Sequence, residues 1–140
     1  MHTLGGRYSK LNISGDGIVT FNGTIAGENG IINKLDSGTL ILNGDNSKYI
    51  GKYNQTGGST IVNETGKLFA GIKNINGGSL SVTSNLIDYT NINLGNGATF
   101  NHLANDYSVT NIIDSNIIKF TGSGATAKFT TTPGLSDKAN

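Results

Sequence analysis

The sequence has 140 residues, of which 35% are hydrophobic and 14% charged, and its formal net charge is +1. This composition fits one modest domain, and it offers neither a basic field for nucleic acid nor a polybasic patch for a membrane surface. Cysteine is absent, which excludes disulfides, thiolate metal sites and thiol catalysis.

A short, glycine-led strand pattern recurs along most of the chain. Its five copies are residues 17–21, 38–42, 58–62, 78–82 and 97–101, each of which begins with a glycine. A nearly fixed period of this kind, filled with strand formers, is typical of a solenoid in which each repeat is one turn stacked on the last. No window shows helical spacing of apolar residues. The sequence therefore predicts an all-β, parallel β-solenoid of roughly seven turns, with about 20 residues in each turn.

Second strands of similar length lie between these copies. They are predicted at residues 30–35, 67–73, 85–94 and 109–114, each bounded by Asn, Gly, Asp or Ser. These residues form turns readily because they tolerate positive φ or hydrogen-bond to their own backbone.

Alternation within the copies predicts which side chains enter the core. The expected core residues are Val19, Phe21, Leu40, Leu42, Leu80 and Val82. Two registers are possible in the third copy, where either Thr60 and Val62 or Ser59 and Ile61 face the core. In the fifth copy, either Thr99 and Asn101 or Ala98 and Phe100 face the core. A slip of one residue would reverse every side chain, so the alternation leaves both registers open there.

Parallel stacking also predicts contacts between like residues in successive turns. Asn43 is expected above Asn22, and Asn63 above Asn43. Stacked amides of this kind form hydrogen-bonded ladders that strengthen parallel sheets.

Residues 34–68 carry a specific order of motifs. They contain Lys34, residues 37–44, Asn46, Tyr49, Gly51, residues 57–62 and residues 66–68. This order resembles the passenger-associated transport repeat, also called the autotransporter-associated β-strand repeat, of type V secreted bacterial proteins. The resemblance implies a right-handed parallel β-helix, displayed on or shed from an outer membrane. The chain departs from the repeat at residues 52–56, which are expected to form a longer turn after Gly51.

The predicted solenoid covers most of the chain. We expect residues 1–132 to form a single solenoid segment and residues 133–140, which begin at the only proline, to form a frayed tail or linker. No apolar run is long enough for a signal peptide or a membrane span.

The resemblance also implies where the protein works. The expected location is the cell surface, exposed outside the outer membrane, or the secreted fraction. Contact with the membrane is expected only through a barrel domain absent from this chain.

Few residues are candidates for chemistry. The only histidines are His2 and His102, and no serine lies in a Gly-x-Ser-x-Gly motif. Asp16 and Asp36 are separated by about one predicted turn and would stack as an isolated pair. Residues 43–47 are rich in oxygen ligands, but a turn is expected there rather than a calcium site. We therefore expect no catalytic residue, no metal and no cofactor.

Tyrosines are the candidate recognition residues. Tyr49, Tyr53, Tyr89 and Tyr107 lie in or beside the predicted turns, and surface aromatic side chains are favoured at interfaces. The alternative for Tyr49 is that it packs over a corner of the solenoid as part of the repeat.

Together these observations favour a non-catalytic, surface-displayed passenger segment of an autotransporter-like adhesin, acting as a stalk or an adhesive surface. The expected partner is a surface protein or glycan of a host or bacterial cell, and not nucleic acid. Two alternatives remain. One is that the segment self-associates and mediates bacterial aggregation. The other is that it is a glycan-processing β-helix, which requires several acids clustered on one face.

Overall fold

The fold is known from a computed structural model, which describes residues 2–3, 9–83, 91–103 and 118–129. The described residues form strands and no helix. The strands are β1 (His2–Thr3), β2 (Lys10–Ile13), β3 (Ile18–Phe21), β4 (Ile25–Ala26), β5 (Ile31–Lys34), β6 (Thr39–Leu42), β7 (Lys52–Gln55), β8 (Ser59–Val62), β9 (Lys73–Ile75), β10 (Ser79–Val82), β11 (Ile92–Leu94), β12 (Thr99–His102), β13 (Ile118–Phe120) and β14 (Thr126–Phe129).

Two parallel sheets run the length of the described chain. The first, called sheet 1 here, contains β2, β5, β7, β9, β11 and β13 in that order, and the second, sheet 2, contains β3, β6, β8, β10, β12 and β14. A third side is shorter: β1 pairs with β4, and Gly27 forms a parallel bridge with Tyr49. Each turn thus passes through sheet 1 and then sheet 2 before it rises to the next level.

The register of sheet 2 gives the repeat length directly. Ile18, Thr39, Ser59, Ser79 and Thr99 pair in succession, so their residue numbers mark the length of each turn. The next pairing, of Thr99 with Thr126, spans a longer turn than the earlier ones. The prediction of an all-β, parallel solenoid with about 20 residues per turn is therefore confirmed over about four turns, whereas the predicted number of seven turns is not.

The core lies between the sheets and is formed by alternate residues of each strand. Leu40 and Leu42 of β6 and Leu80 of β10 are fully buried, as predicted. In β3, by contrast, Val19 is 36% exposed and Phe21 only partly buried. Both share the inward register of Leu40 and Leu42, and Phe21 packs against the core as predicted. Val19 is not closed off from solvent, because among the described residues β3 has a partner only on its β6 side.

The structure also settles the two registers that alternation left open. Thr60 and Val62 of β8 face the core with 0% exposure. In β12 the inward residues are Phe100 and His102, likewise fully buried. In β12 the register with the larger apolar side chain faces the core, and in β8 a threonine is acceptable in the core because its hydroxyl is hydrogen-bonded to Tyr53 and Gln55.

Several predicted strands are corrected. Residues 30–35 contain β5, but residues 67–73 are not one strand: Lys67 makes only a bridge to Asp45, and β9 begins at Lys73. Of residues 85–94, the described part contains β11, and residues 109–114 and 133–140 lie outside the described residues. The expected longer turn at residues 52–56 is also wrong, because Lys52–Gln55 is β7, a full strand of sheet 1.

Glycine is required at two of the corners where the chain enters sheet 2. Gly58 and Gly78 adopt φ values of +73° and +70°, in the left-handed region that side chains disfavour. A Cβ on Gly78 would also collide with the carbonyl oxygen of Gly58 in the turn before. The glycine-led period seen in the sequence is therefore a column of tightly stacked corners.

Candidate functional site

Tyr53 lies in the core, not on a recognition surface. Its exposure is 0%, because β7 directs Tyr53 and Gln55 inward. The Tyr53 hydroxyl lies 2.6 Å from Thr60 Oγ1, and Thr60 Oγ1 donates to Gln55 Oε1 at 2.6 Å. Burial raises the pKa of Tyr53, so its hydroxyl stays protonated within this network. The predicted role of Tyr53 in recognition is therefore corrected to a structural one.

Tyr49 is also fully buried, at a corner of the solenoid. Its hydroxyl donates to the carbonyl of Lys52 at 2.7 Å, and its ring meets Phe69 edge to face at 5.2 Å. Burial raises its pKa to about 12. Tyr49 therefore packs at a corner of the solenoid, which was the alternative to a recognition role, and it does not lie on the surface. Tyr89 and Tyr107 lie outside the described residues, and their role stays a prediction.

Asp36 has a structural role in the fold. Asp36 lies level with Gly15, not with Asp16, and its Oδ2 accepts the Gly15 N–H at 2.8 Å. The expected stacked pair of Asp16 and Asp36 therefore does not form in register. Because Asp36 caps the backbone of the preceding turn, its carboxylate has a structural function.

Residues 43–47 form a turn around Asp45. Its Oδ1 accepts hydrogen bonds from the Ser47 hydroxyl at 2.6 Å and the Ser47 N–H at 2.9 Å, and Lys67 Nζ lies 3.8 Å from its Oδ2. The Ser47 hydrogen bonds lower the pKa of Asp45. Over residues 9–83, 91–103 and 118–129, no three His, Cys, Asp or Glu side chains gather into a group that could hold a metal ion. His102 is buried in the core, and for His2 only the backbone strand β1 is described.

Two polar side chains fill the corner that follows sheet 1. Lys34 Nζ donates to the Leu35 carbonyl at 3.0 Å, and burial lowers the pKa of its ammonium group. One turn later, Gln55 Nε2 donates to three carbonyls, with the shortest bond to Ser79 at 2.9 Å. Both side chains thus give additional hydrogen bonds to backbone carbonyls at this corner.

The predicted amide ladder is present. Asn43 Nδ2 donates to Asn22 Oδ1 at 2.8 Å, and Asn63 Nδ2 donates to Asn43 Oδ1 at 2.6 Å. A second and longer ladder runs along the outward side of sheet 1, and its bonds measure 2.9 to 3.2 Å. It is called the asparagine ladder here, and it consists of Asn12, Asn33, Asn54, Asn74 and Asn93.

The sequence reasoning missed the asparagine ladder, although the signal was there. Its members recur once in every turn, with the same period as the corner glycines. Beside the ladder lies a surface groove of about 330 Å³. It is lined by Glu28, Asn29, Gly30, Ile31, Ile50, Gly51, Lys52 and Ile72, and it is called the corner groove here.

The corner groove is accessible and partly apolar. Ile50 is 53% exposed and Ile72 is 42% exposed. Gly30 and Gly51 also line the groove, and they stack so closely that a Cβ on Gly51 would collide with the Gly30 carbonyl. Its volume falls in the range of small-ligand sites.

Comparison with known proteins gives no relative for this chain: no family model matches it, and neither a curated protein nor a solved structure is similar to it. Within the described ranges, no helix has the length and apolar character needed to cross a bilayer.

Proposed function

We propose that this chain is a non-catalytic passenger segment of an autotransporter-like adhesin, displayed on a bacterial surface or secreted, where it acts as a stalk or an adhesive surface. We further propose that the solenoid winds in the right-handed sense, as connections between parallel strands of one sheet almost always do.

The observation that supports this proposal most is the unbroken register of the stacked turns. Along the asparagine ladder, every rung from Asn12 to Asn93 is bonded to the next. Because each turn contacts only its neighbours, such a fold grows by addition of turns and presents a long lateral surface. A chain leaving a narrow export pore can fold in the same stepwise manner.

The role is tested by fusing the chain to the export barrel of an autotransporter and expressing the fusion in bacteria. We expect a folded, protease-resistant segment at the cell surface, detected with an antibody on intact cells. Attachment to host cells, compared with cells that carry the barrel alone, then separates an adhesive surface from a stalk. Retention of the segment inside the cell, or its loss to proteases at the surface, would contradict the proposal.

Self-association is a second candidate, favoured by the edge strand β3. Ile18 is 71% exposed and Val19 is 36% exposed, and exposed apolar edges invite pairing with another chain. Light scattering over a range of protein concentrations tests this candidate. Growth in mass that disappears in the Val19→Lys variant supports it, and a constant monomer mass rules it out.

A further inference from the structure

The asparagine ladder retains unused hydrogen-bonding capacity. A carboxamide has two N–H donors and two acceptor lone pairs on its oxygen. An interior rung such as Asn54 uses one donor toward Asn33 and one lone pair for Asn74. Each interior rung therefore presents one further donor and one further acceptor, and neighbouring rungs are about 4.8 Å apart.

The corner groove lies directly against this ladder. Ile31 and Lys52 are paired in sheet 1, two residues before Asn33 and Asn54, and Ile72 stands two residues before Asn74. Side chains two residues apart on a strand point to the same face. The row formed by Ile31, Lys52 and Ile72 thus lines the groove and lies beside the ladder, so the groove and the ladder form one continuous surface.

This surface is amphipathic and close to neutral in charge. Its apolar part comes from the isoleucines that line the groove, and its charged lining groups are one acid, Glu28, and one base, Lys52. The ladder itself carries no charge. A ligand that matches it has weakly polar C–H faces, many hydroxyl groups at short intervals and no net charge.

We propose that the corner groove and the asparagine ladder together bind a neutral oligosaccharide. The C–H face of a sugar ring packs on Ile50 and Ile72, and its hydroxyls exchange hydrogen bonds with the free donors and acceptors of Asn33, Asn54 and Asn74. Three rungs span about 10 Å, so a short oligosaccharide reaches several amides at once. This inference names a ligand class for the adhesive surface proposed above, and to that extent it rests on that proposal.

The test is a titration of the ¹⁵N-labelled full chain with neutral hexose and N-acetylhexosamine trisaccharides, with a sialylated trisaccharide and an apolar tripeptide as comparisons. The side-chain amide signals of Asn33, Asn54 and Asn74 report contact with the ladder, and the backbone signal of Gly51 reports contact with the groove. We expect these signals to shift with a neutral trisaccharide at millimolar concentration.

Variants identify the site. Asn54→Leu and Ile72→Asp should each weaken binding at least tenfold. The matched control is Asn101→Leu on sheet 2, where the Asn101 amide also donates to the turn before, to Ser81 Oγ at 3.2 Å. Asn101→Leu should leave binding unchanged. Far-ultraviolet circular dichroism shows whether each variant retains the fold, and Ile72→Asp alters an exposed side chain without breaking a ladder bond.

The proposal is overturned if no neutral trisaccharide shifts these signals, if the sialylated sugar or the peptide binds better than every neutral sugar, or if Asn101→Leu weakens binding as much as Asn54→Leu. The measurement uses purified protein. A negative result therefore removes the glycan site and leaves surface display to be judged by its own experiment.

Discussion

Replacing Tyr53 distinguishes a core residue from the surface residue that the sequence indicated. Tyr53→Phe removes only the hydroxyl, which lies 2.6 Å from Thr60 Oγ1. Thr60 keeps its acceptor, Gln55 Oε1, and loses a buried donor. We expect the free energy of unfolding to fall by about 1 to 2 kcal/mol, the usual consequence of removing one partner of a buried hydrogen bond.

Tyr53→Ala removes the ring as well. The ring is fully buried, and its centroid lies 4.9 Å from that of Phe69. Truncation of a buried aromatic side chain to alanine costs about 3 to 5 kcal/mol, because contacts are lost and a cavity remains. The Tyr53→Ala variant should therefore be strongly destabilised or unfolded.

The assay is urea unfolding followed by far-ultraviolet circular dichroism, since the chain has no tryptophan. A double-mutant cycle with Thr60→Val should give a coupling energy of at least about 0.5 kcal/mol between the two hydroxyls. If Tyr53→Ala unfolds within about 0.5 kcal/mol of the natural chain, as surface substitutions do, the placement of Tyr53 in the core is refuted.

Three further predictions use the same stability assay. Gly78→Ala should lower the free energy of unfolding by at least about 1 kcal/mol, because Gly78 has a positive φ and its Cβ would collide with the Gly58 carbonyl. Gly17→Ala is the control and should change little, since its Cβ would meet nothing within 4 Å. Equal effects would contradict the column of corners. Asn54→Ala removes two ladder bonds and should cost about 1 to 3 kcal/mol, about twice the effect of Asn12→Ala, which removes one. A change of less than about 0.5 kcal/mol for Asn54→Ala would mean that the ladder adds no stability. Because the pKa of Tyr49 is raised to about 12, its contribution to stability is complete below pH 10 and is lost as the pH rises toward 12, by about 1.4 kcal/mol per pH unit. Tyr49→Phe should reduce this dependence of the free energy of unfolding on pH. An unchanged dependence would show that Tyr49 ionises freely in the folded state.

The sequence allowed the repeat to be recognised because stacking forces like residues into like places. Glycine is needed at corners such as those of Gly58 and Gly78, and Leu40 and Leu80 recur at the same inward position, so their period and alternation are visible without a structure. The ladder from Asn22 to Asn63 follows from the same rule. Contacts between equivalent positions are therefore predictable.

The interior of β7 could not be read in this way. Residues 52–55 have no apolar alternation that would indicate a strand, and in the sequence residues 52–56 only lengthen the usual spacing of the repeat. Its inward residues are acceptable in the core only because Tyr53, Gln55 and Thr60 satisfy one another, and Thr60 comes from the neighbouring sheet. Pairing between the two sheets is not encoded in the repeat period.

The most direct measurement of the stacked register is oxidative cross-linking of engineered cysteine pairs, which is clean because the chain has no cysteine. Ser59 and Ser79 are paired in adjacent turns, and Ser79 Oγ donates to Ser59 Oγ at 3.1 Å. Adjacent strands are about 4.8 Å apart, within the range of Cα separations that a disulfide spans. A cysteine pair at Ser59 and Ser81 lies two residues out of register, at about 8 Å, beyond that range.

The double variant Ser59→Cys/Ser79→Cys should therefore form an intramolecular disulfide readily, and Ser59→Cys/Ser81→Cys should not. Cross-linking of the second pair in preference to the first, or of neither, would contradict a solenoid whose turns stack in register.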